Sequence, residues 1–334
     1  MKILNIESLS EKEIKEAFKD VVVIPTETVY GLAGRIDNDE ILRNIFKIKN
    51  RPVDNPLIVH ISNIKMLNDL IKGDISQNYK ILIDKYWPGP LTLIFKSSSM
   101  VSKIVMGSGN STVAIRMPAK KEIRKIIEIL GVPLAAPSAN TSGKPSATTL
   151  QHAINDLGNR VNTYIDGGPC KYGLESTVLG EFNGVLTLLR PGSITKENIE
   201  KITGVKVKCK TNLSEKGEII CPGTKYKHYS PNIPVYLFIN NDWKNQMETE
   251  IKKNKSLKIG IVIDSEENFK HFNGKAHLII NLGETITECC KNCFSALLNL
   301  EKKCDIIFVK GFEKTHEGLA IMDRLEKAST KIFK

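Results

Sequence analysis

The sequence lacks the short motifs that mark the commonest nucleotide-binding and hydrolytic sites. No Gly-x-x-x-x-Gly-Lys-Ser/Thr run occurs, because Gly143-Lys144 is followed by Pro145. The pair Gly107 and Gly109 lacks the third glycine of a dinucleotide-binding turn. A Gly-x-Ser-x-Gly elbow and a His-Glu-x-x-His pair are also absent. An ordinary kinase or hydrolase is therefore not supported.

Long apolar runs are missing as well. No stretch approaches the roughly 20 residues needed to cross a bilayer, and the amino-terminal segment contains no apolar export core. Cysteines number seven, and Cys290 and Cys293 have CxxC spacing without a second such pair. Buried free thiols are the favoured interpretation, with a zinc or redox role as the alternative. These absences predict a cytoplasmic protein in a reducing compartment, without membrane association.

The length and charge of the chain limit the number of domains and the classes of partner that can be expected. Its 334 residues suit two domains with a sizeable core. The formal net charge of +11 predicts anionic partners, either nucleic acid or small phosphates. The basic residues are spread along the chain, which is weaker evidence for a nucleic-acid groove than a clustered stripe.

Helical and strand-like apolar patterns alternate along the chain, which predicts an α/β fold with helices packed on a sheet. Predicted strands lie at 21–25, 57–61, 91–95, 113–117, 132–136, 162–165, 176–181 and 185–189. Predicted helices lie at 10–19, 38–49, 64–72, 77–86, 120–130, 148–157 and 196–202. The expected domain organisation is 1–205, a polar linker at 206–233, and a smaller α/β unit at 234–334 with strands at 235–238, 258–263, 277–281 and 305–310.

Polar residues gather where the predicted strands end. The apolar strand at 21–25 runs directly into Thr26-Glu27-Thr28, which offers two hydroxyls and a carboxylate at its carboxyl end. The alternative is that Thr26 or Thr28 only caps a following helix. The strand at 132–136 likewise ends in the small polar run 137–145, whose Ser138 and Asn140 leave room for a ligand, although such residues most often form turns.

Several basic residues also occupy positions that suit an anion. Lys49 and Arg51 close the second helix, where the helix dipole alone favours cations, and they could instead hold an anionic ligand. Arg116 lies within an apolar strand, so it requires either an internal carboxylate or a ligand anion. His60 lies on another strand, and a lone strand histidine is usually a satisfied structural residue.

Seven motifs occur together and in order, and they resemble the threonylcarbamoyl-adenylate synthase family, whose catalytic domain is called YrdC-like. They are Pro25-Thr26-Glu27-Thr28-Val29-Tyr30-Gly31-Leu32, Lys49-x-Arg51-Pro52, Asn55-Pro56-Leu57-Ile58-Val59-His60, Trp87-Pro88-Gly89-Pro90-Leu91-Thr92, Arg116-Met117-Pro118, Ser138-Ala139-Asn140 and Leu189-Arg190-Pro191-Gly192. The stretches 228–231 and 318–325 resemble the linker and tail of the longer, two-domain members. Asn50 replaces the usual glycine, Ser230 replaces alanine, and 221–224 departs from the usual linker motif.

The resemblance implies a YrdC-like twisted mixed sheet followed by a smaller Rossmann-like α/β domain. It also implies the synthesis of L-threonylcarbamoyl-adenylate from L-threonine, bicarbonate and ATP, with Mg²⁺ on the phosphates and without a dedicated protein metal cage. A downstream complex would transfer the threonylcarbamoyl group to the adenosine beside the anticodon of tRNA. Whether tRNA binds this chain directly stays open.

The resemblance also assigns site residues by motif. The central polar tetrad is Lys49, Arg51, Ser138 and Asn140. The ATP side is Arg51, Asn55, Thr112, Asn140, Thr148, Arg190 and Tyr229. The threonine side is Thr28, His60, Arg116, Ser138 and Ser176. The linker at 206–233 is expected to fold over the cleft as a lid through Tyr229.

Two alternatives belong to other functional classes or reactions. YrdC-like domains are also discussed as RNA-binding modules, which would show steep salt dependence and would function without ATP. No strip of aromatic and basic residues supports such a module here. Carbamoyl-adenylate chemistry in hydrogenase maturation uses a related domain within a much larger protein, and the acylphosphatase and zinc-finger segments of that protein are absent.

Overall fold

The structure is a computed structural model that describes residues 1–107, 109–209 and 228–334. The chain folds into two compact units. The first unit contains Met1–Ser142, Ala147–Lys171 and the described part of Glu175–Tyr226. The second contains Gly143–Ser146, Tyr172–Leu174 and the described part of Lys227–Lys334. Most of the predicted linker, including 221–224, lies outside the described residues.

The first unit is built on one mixed sheet. Its strands are β1 (Lys2–Asn5), β2 (Val22–Ile24), β3 (Gly31–Arg35), β4 (Ile58–His60), β5 (Leu91–Lys96), β6 (Thr112–Arg116), β7 (Leu134–Ala135), β8 (Thr163–Asp166), β9 (Thr177–Phe182), β10 (Val185–Arg190) and β11 (Lys208–Cys209). Across the sheet their order is β1-β8-β2-β3-β7-β4-β6-β5-β9-β10-β11. The pairs β4–β6 and β5–β9 are parallel, whereas β5–β6 and β9–β10 are antiparallel.

Eight α-helices of the described chain accompany this sheet. They are α1 (Glu11–Ala17), α2 (Asp39–Lys49), α3 (Ile64–Leu70), α4 (Gln77–Tyr86), α5 (Lys103–Met106), α6 (Lys121–Leu130), α7 (Leu150–Leu157) and α8 (Lys196–Thr203). One apolar cluster packs α1 and α6 side chains such as Ile14 and Ile127 against β2 residues such as Val22. Burial of these helix faces fixes the sheet on which the polar residues are carried.

Helix α2 shows how local sequence sets an element that carries predicted site residues. Asn38 accepts hydrogen bonds from the amides of Glu40 and Ile41 and so begins the helix. The helix ends at Asn50, whose φ of 50° is left-handed. Asparagine tolerates this conformation better than most residues other than glycine. The departure from the usual glycine at this position therefore keeps the backbone turn.

The second unit has a parallel sheet of its own. Its strands are β12 (Val235–Phe238), β13 (Ile259–Ile263), β14 (Leu278–Asn281), β15 (Ile306–Lys310) and β16 (Lys331–Phe333), in the order β14-β13-β15-β12-β16. Its helices are α9 (Trp243–Lys253), α10 (Glu266–Phe272), α11 (Ile286–Glu301) and α12 (Glu317–Ala328). The predicted α/β class of both sheets is thus confirmed.

Some sequence expectations need correction. No helix follows Thr28 directly, because β3 starts at Gly31, so the helix-cap interpretation of Thr26 and Thr28 is wrong. The Thr26 hydroxyl instead accepts hydrogen bonds from the amides of Thr28 and Val29 within a tight turn. The strands β1, β3, β11 and β16 and the short helix α5 are not predicted by the sequence pattern, and the strand expected at 132–136 is only Leu134–Ala135.

The cysteines of the CxxC pair agree with the interpretation as buried free thiols. Cys290 and Cys293 are buried thiols in the apolar core of the second unit. Burial raises the pKa of the Cys290 thiol to about 12, which makes it a poor nucleophile. Among the helices of the described residues, none combines the length and apolarity that a membrane span requires.

Replacing Gly34 by alanine should destabilise the first unit. A Cβ at Gly34 would lie 2.6 Å from Cγ2 of Ile41, which cannot swing away because it branches next to the helix backbone. We expect Gly34→Ala to lower the free energy of unfolding by about 1–3 kcal/mol in urea titrations. The double variant Gly34→Ala/Ile41→Ala should cost less than the sum of the single variants. Strict additivity would contradict the close approach of β3 and α2.

Candidate active site

A buried arginine lies at the centre of the polar residues in the first unit. Arg116 is 3% exposed and donates from Nε to the carbonyl of Gly89 at 3.2 Å and from Nη1 to the Thr28 hydroxyl at 2.9 Å. Its Nη2 donates to Oε1 of Glu27 at 2.5 Å, and both side chains of this ion pair are almost fully buried. The internal carboxylate that an arginine in an apolar strand requires is therefore Glu27.

The ion pair keeps Glu27 charged. Burial opposes the carboxylate form, but Arg116 and the backbone amides of Ala119 and Glu27 outweigh that effect and hold the pKa of the Glu27 carboxyl below its usual value. The turn that presents Glu27 is fixed by Thr26, whose hydroxyl donates to the carbonyl of Val29 at 2.6 Å. The turn after β2 thus delivers a carboxylate and a hydroxyl to the same guanidinium.

Strand register places further polar side chains on the same face as Arg116. His60 on β4 is the direct neighbour of Arg116 on β6 in a parallel pair, so the two side chains share a face. Thr112 is four residues before Arg116 on the same strand and therefore faces the same side. Between these polar positions lies an apolar cluster that includes Ile58, Ala114, Ile94 and Val178.

His60 is held in its neutral form. Burial lowers the pKa of its imidazole to about 3, and the charge of Arg116 adds to the shift. Its Nδ1 lies 3.2 Å from the carbonyl of Ile58, so Nδ1 carries the proton and donates to that oxygen. Nε2 is then a hydrogen-bond acceptor on the ring that neighbours Arg116.

A second hydrogen-bonded group joins β5, the residue before β9 and the end of β10. The hydroxyls of Thr92 and Ser176 are 2.7 Å apart, and either can donate. Arg190 donates from Nε to the carbonyl of Ser176 at 3.0 Å and from Nη2 to its hydroxyl at 3.1 Å. Gly192 is required after this arginine, because a Cβ there would lie 2.4 Å from the amide nitrogen of Thr177. The structure thus pairs Arg190 directly with Ser176.

Lys49 and Arg51 at the end of α2 are both buried and both turned towards backbone carbonyls. Lys49 donates from Nζ to the carbonyls of Ser138 and Asn140. Burial, together with the charge of Arg51, lowers the pKa of the Lys49 ammonium group well below its usual value. Arg51 donates to the carbonyl and the side chain of Asn55 and to a neighbouring carbonyl. These contacts bring together the loops that follow α2 and β7.

The loop with Ser138 and Asn140 is also tied to the turn after β2. The amide of Ala139 donates to the carbonyl of Tyr30 at 2.7 Å, and Gly31 forms an isolated bridge with Ser138. Backbone contacts therefore hold the loop that contains Ser138 and Asn140 against the turn that contains Thr28. Thr148, at the start of α7, lies with its hydroxyl 3.2 Å from Nδ1 of His152.

Tyr229 belongs to the second unit. Its ring stacks on Phe294 with centroids 5.4 Å apart, and the guanidinium of Arg324 lies 5.5 Å from the ring centroid. The next residue, Ser230, donates from its amide to the carbonyl of Gly143 at 2.8 Å. Arg324 is fully buried in the tail motif at 318–325, so this motif holds the start of the second unit in place.

Two residues of this arrangement are missing from the sites expected from the sequence. Glu27 lies 89 residues from Arg116 and Thr92 lies 84 residues from Ser176, so no local spacing indicates either contact. The signal for Glu27 is the unmet charge of Arg116 together with a carboxylate next to Thr28. No cluster of three or more metal-ligating His, Cys, Asp or Glu side chains is found in 1–107, 109–209 and 228–334.

Comparisons with known proteins agree with these observations over both units. A family model described as telomere recombination matches residues 18–192, and one described as threonylcarbamoyl-AMP synthase, C-terminal domain, matches residues 194–330. The threonylcarbamoyl-AMP synthase of Pyrococcus abyssi is 37% identical over 315 residues, which cover 92% of this chain and 90% of that protein. The synthase of Bacillus subtilis is 38% identical over 312 residues, covering 93% and 89%.

The fold of this chain is also similar to that of a solved structure. The crystal structure of P. abyssi Sua5 complexed with L-threonine matches with a TM-score of 0.90 and 36% identity, covering 99% of each chain. The resemblance expected from the seven ordered motifs is confirmed over almost the whole length. This chain belongs to the threonylcarbamoyl-AMP synthase family and carries both of its domains.

Proposed function

We propose that this chain combines L-threonine, bicarbonate and ATP into L-threonylcarbamoyl-adenylate and releases pyrophosphate. The product would supply a downstream complex that transfers the threonylcarbamoyl group to the adenosine beside the anticodon of tRNA. The observation that carries the proposal is one face of the β4–β6 pair. It presents a buried guanidinium, a neutral imidazole and, at its far end, the Thr112 hydroxyl.

The length of β6 suits two substrates placed end to end. Thr112 and Arg116 are four positions apart on β6, which at the rise of a strand is about 13 Å. We assign the Arg116 end to the carboxylate of threonine, with Thr28, His60, Ser138 and Ser176 around the amino acid. The solved relative complexed with L-threonine supports a site for this amino acid. We assign the Thr112 end to ATP, with Arg51, Asn55, Asn140, Thr148, Arg190 and Tyr229.

The reaction needs positive charge and alignment more than a protein nucleophile. The threonine amine adds to bicarbonate with loss of water, and an oxygen of the resulting carbamate attacks the α-phosphorus while pyrophosphate leaves. Carbamate and triphosphate are both anions, so cations placed between them lower the barrier. Lys49 and Arg51 with Ser138 and Asn140 form the proposed catalytic group. Their buried position strengthens any interaction with the developing charge.

Mg²⁺ would accompany ATP in this scheme. The described residues offer no cluster of carboxylates for it, so phosphate oxygens and water would supply most of its ligands. Its contribution when bound is to neutralise phosphate charge.

We further propose a separate role for each of three segments of the chain. Residues 1–205 would form the catalytic domain, 206–233 a lid and 234–334 an accessory domain. The ring of Tyr229 is packed between Phe294 and Arg324 within the second unit, and its φ of 65° turns the backbone sharply. A residue held in a strained backbone conformation by such packing is typical of a functional position.

The reaction is tested by incubating purified protein with ATP, Mg²⁺, bicarbonate and L-threonine. Pyrophosphate release should require threonine and bicarbonate, and threonylcarbamoyl-adenylate should appear in equal amount by mass spectrometry. Release that is independent of threonine would contradict the proposed function. Binding of RNA that falls steeply with salt, without any ATP turnover, would favour the RNA-binding alternative.

Arg116→Lys should impair threonine binding selectively. A lysine ammonium cannot reproduce the three directed hydrogen bonds of the guanidinium, so the two-pronged hold on a carboxylate is lost. We expect KM for threonine to rise by about tenfold or more, with KM for ATP within about twofold. Arg35→Lys is the matched control, because Arg35 pairs with Asp37 near the surface. Equal changes in KM for threonine and for ATP would contradict the assignment of threonine to the Arg116 end of β6.

Tyr229→Ala should uncouple ATP consumption from product formation. In the proposed lid this ring would keep water from the labile carbamate, so its removal should cause loss of ATP without an equal yield of threonylcarbamoyl-adenylate. Tyr229→Phe keeps the ring and serves as the control. Unchanged yield and coupling in Tyr229→Ala would exclude the lid role.

His60→Gln should change how stability depends on pH. The folded pKa of His60 is about 3, so between pH 6.5 and 3 only the unfolded state binds the proton and the free energy of unfolding falls as pH falls. Without His60, the loss between pH 6.5 and 4.5 should be smaller by about 2 kcal/mol. Urea titrations at pH 7.5, 6.5, 5.5 and 4.5 measure this. Parallel curves for both proteins would show that His60 titrates normally.

A further inference from the structure

Glu27 presents an unused acceptor inside the proposed threonine site. Its Oε1 accepts from Arg116, whereas its Oε2 is buried and meets no hydrogen-bond donor among the described residues. The backbone amides of Ala119 and Glu27 favour the charged carboxylate, but neither reaches Oε2 with hydrogen-bond geometry. A buried carboxylate oxygen without a donor costs free energy that a bound ligand with an N–H or O–H group can recover.

Arg116 also retains donors for a ligand. A guanidinium has five N–H groups, and three of those on Arg116 donate to Gly89, Thr28 and Glu27. The part of the chain that the structure describes shows no partner for the remaining two, one on each Nη. These two can hold a carboxylate. The Arg116–Glu27 pair therefore offers a ligand two N–H donors on Arg116 and one acceptor, Oε2, on Glu27.

An α-amino acid has the complementary pattern. Its carboxylate and ammonium groups are separated by a single carbon, and together they are electrically neutral, as is the Arg116–Glu27 pair. A lone buried arginine would bind any carboxylate of suitable size, whereas a paired arginine and carboxylate also require an ammonium group.

We propose that Glu27 is a substrate-binding residue, whose Oε2 accepts a hydrogen bond from the ammonium group of L-threonine while Arg116 holds the carboxylate. The inference rests on the proposed function, since it deepens the threonine end of the same site. It assigns Glu27 to recognition of the zwitterion and not to the later addition of the amine to bicarbonate, for which the amine has to be neutral.

The Glu27 inference is tested by isothermal titration calorimetry with the full chain and three ligands. L-Threonine carries carboxylate, ammonium and hydroxyl groups. 3-Hydroxybutyrate of the same configuration at the hydroxyl carbon lacks the ammonium group, and L-2-aminobutyrate lacks the hydroxyl. Wild type, Glu27→Gln and Glu27→Asp are compared. Glu181→Gln is the matched control, because Glu181 accepts hydrogen bonds from Ser76 and Asn78 elsewhere in the same unit.

We expect Glu27→Gln to weaken binding of L-threonine and L-2-aminobutyrate by about tenfold or more, the size expected for a charged hydrogen bond. Binding of 3-hydroxybutyrate should not weaken, because Arg116 without its carboxylate partner still requires an anion, so the preference for the amino acid is lost. Glu27→Asp keeps a carboxylate and should keep the preference, even where overall affinity falls. Thermal denaturation checks that each variant is folded, and Glu181→Gln should behave as wild type.

Three results would overturn the assignment of Glu27. Equal weakening of threonine and 3-hydroxybutyrate would mean that Glu27 only holds Arg116 in position. Weakening of threonine but not of L-2-aminobutyrate would place the hydroxyl, and not the ammonium group, on Glu27. Unchanged binding in Glu27→Gln would remove Glu27 from recognition altogether. Failure of wild type to bind L-threonine would instead contradict the threonine site itself and with it the proposed function.

Discussion

The buried charge of Arg116 is the constraint on which the rest of the first unit depends. An arginine at 3% exposure in an apolar strand has to be paired, because removing one partner of a buried ion pair costs about 3–5 kcal/mol. The fold meets this requirement by bringing the turn after β2 to the end of β6, where Glu27 and Thr28 both contact the guanidinium. That requirement explains why the turn carries a carboxylate and a hydroxyl.

The same kind of pairing recurs around the site. Lys49 is bound to the carbonyls of the Ser138–Asn140 loop, Arg51 to Asn55, and Arg190 to Ser176. Each of these basic side chains is buried, and each orders a neighbouring loop. A site built in this way is preorganised, because its charges are fixed by backbone and side-chain acceptors before any substrate arrives. Preorganised cations suit a reaction that joins two anionic groups.

Several elements and one pairing requirement of the first unit can be predicted from the sequence for physical reasons. The apolar run at 21–25 and the apolar face of α2 follow local periodicity, and the need of Arg116 for an anion follows from the cost of burying charge. Strand β3 is not predicted, because Gly31–Arg35 contains no β-branched residue. The strand forms through pairing with β2 and β7. The partner of Arg116 and the Thr92–Ser176 contact are not predicted either, because residues 89 and 84 positions apart leave no local pattern.

A crystal structure with L-threonine and a non-hydrolysable ATP analogue bound together would show whether both substrates lie along β6. We expect the threonine carboxylate within hydrogen-bond distance of Arg116, and the α-phosphate between that carboxylate and Thr112 along β6. Threonine bound away from Arg116, or a triphosphate on the opposite face of the sheet, would contradict this placement of the substrates.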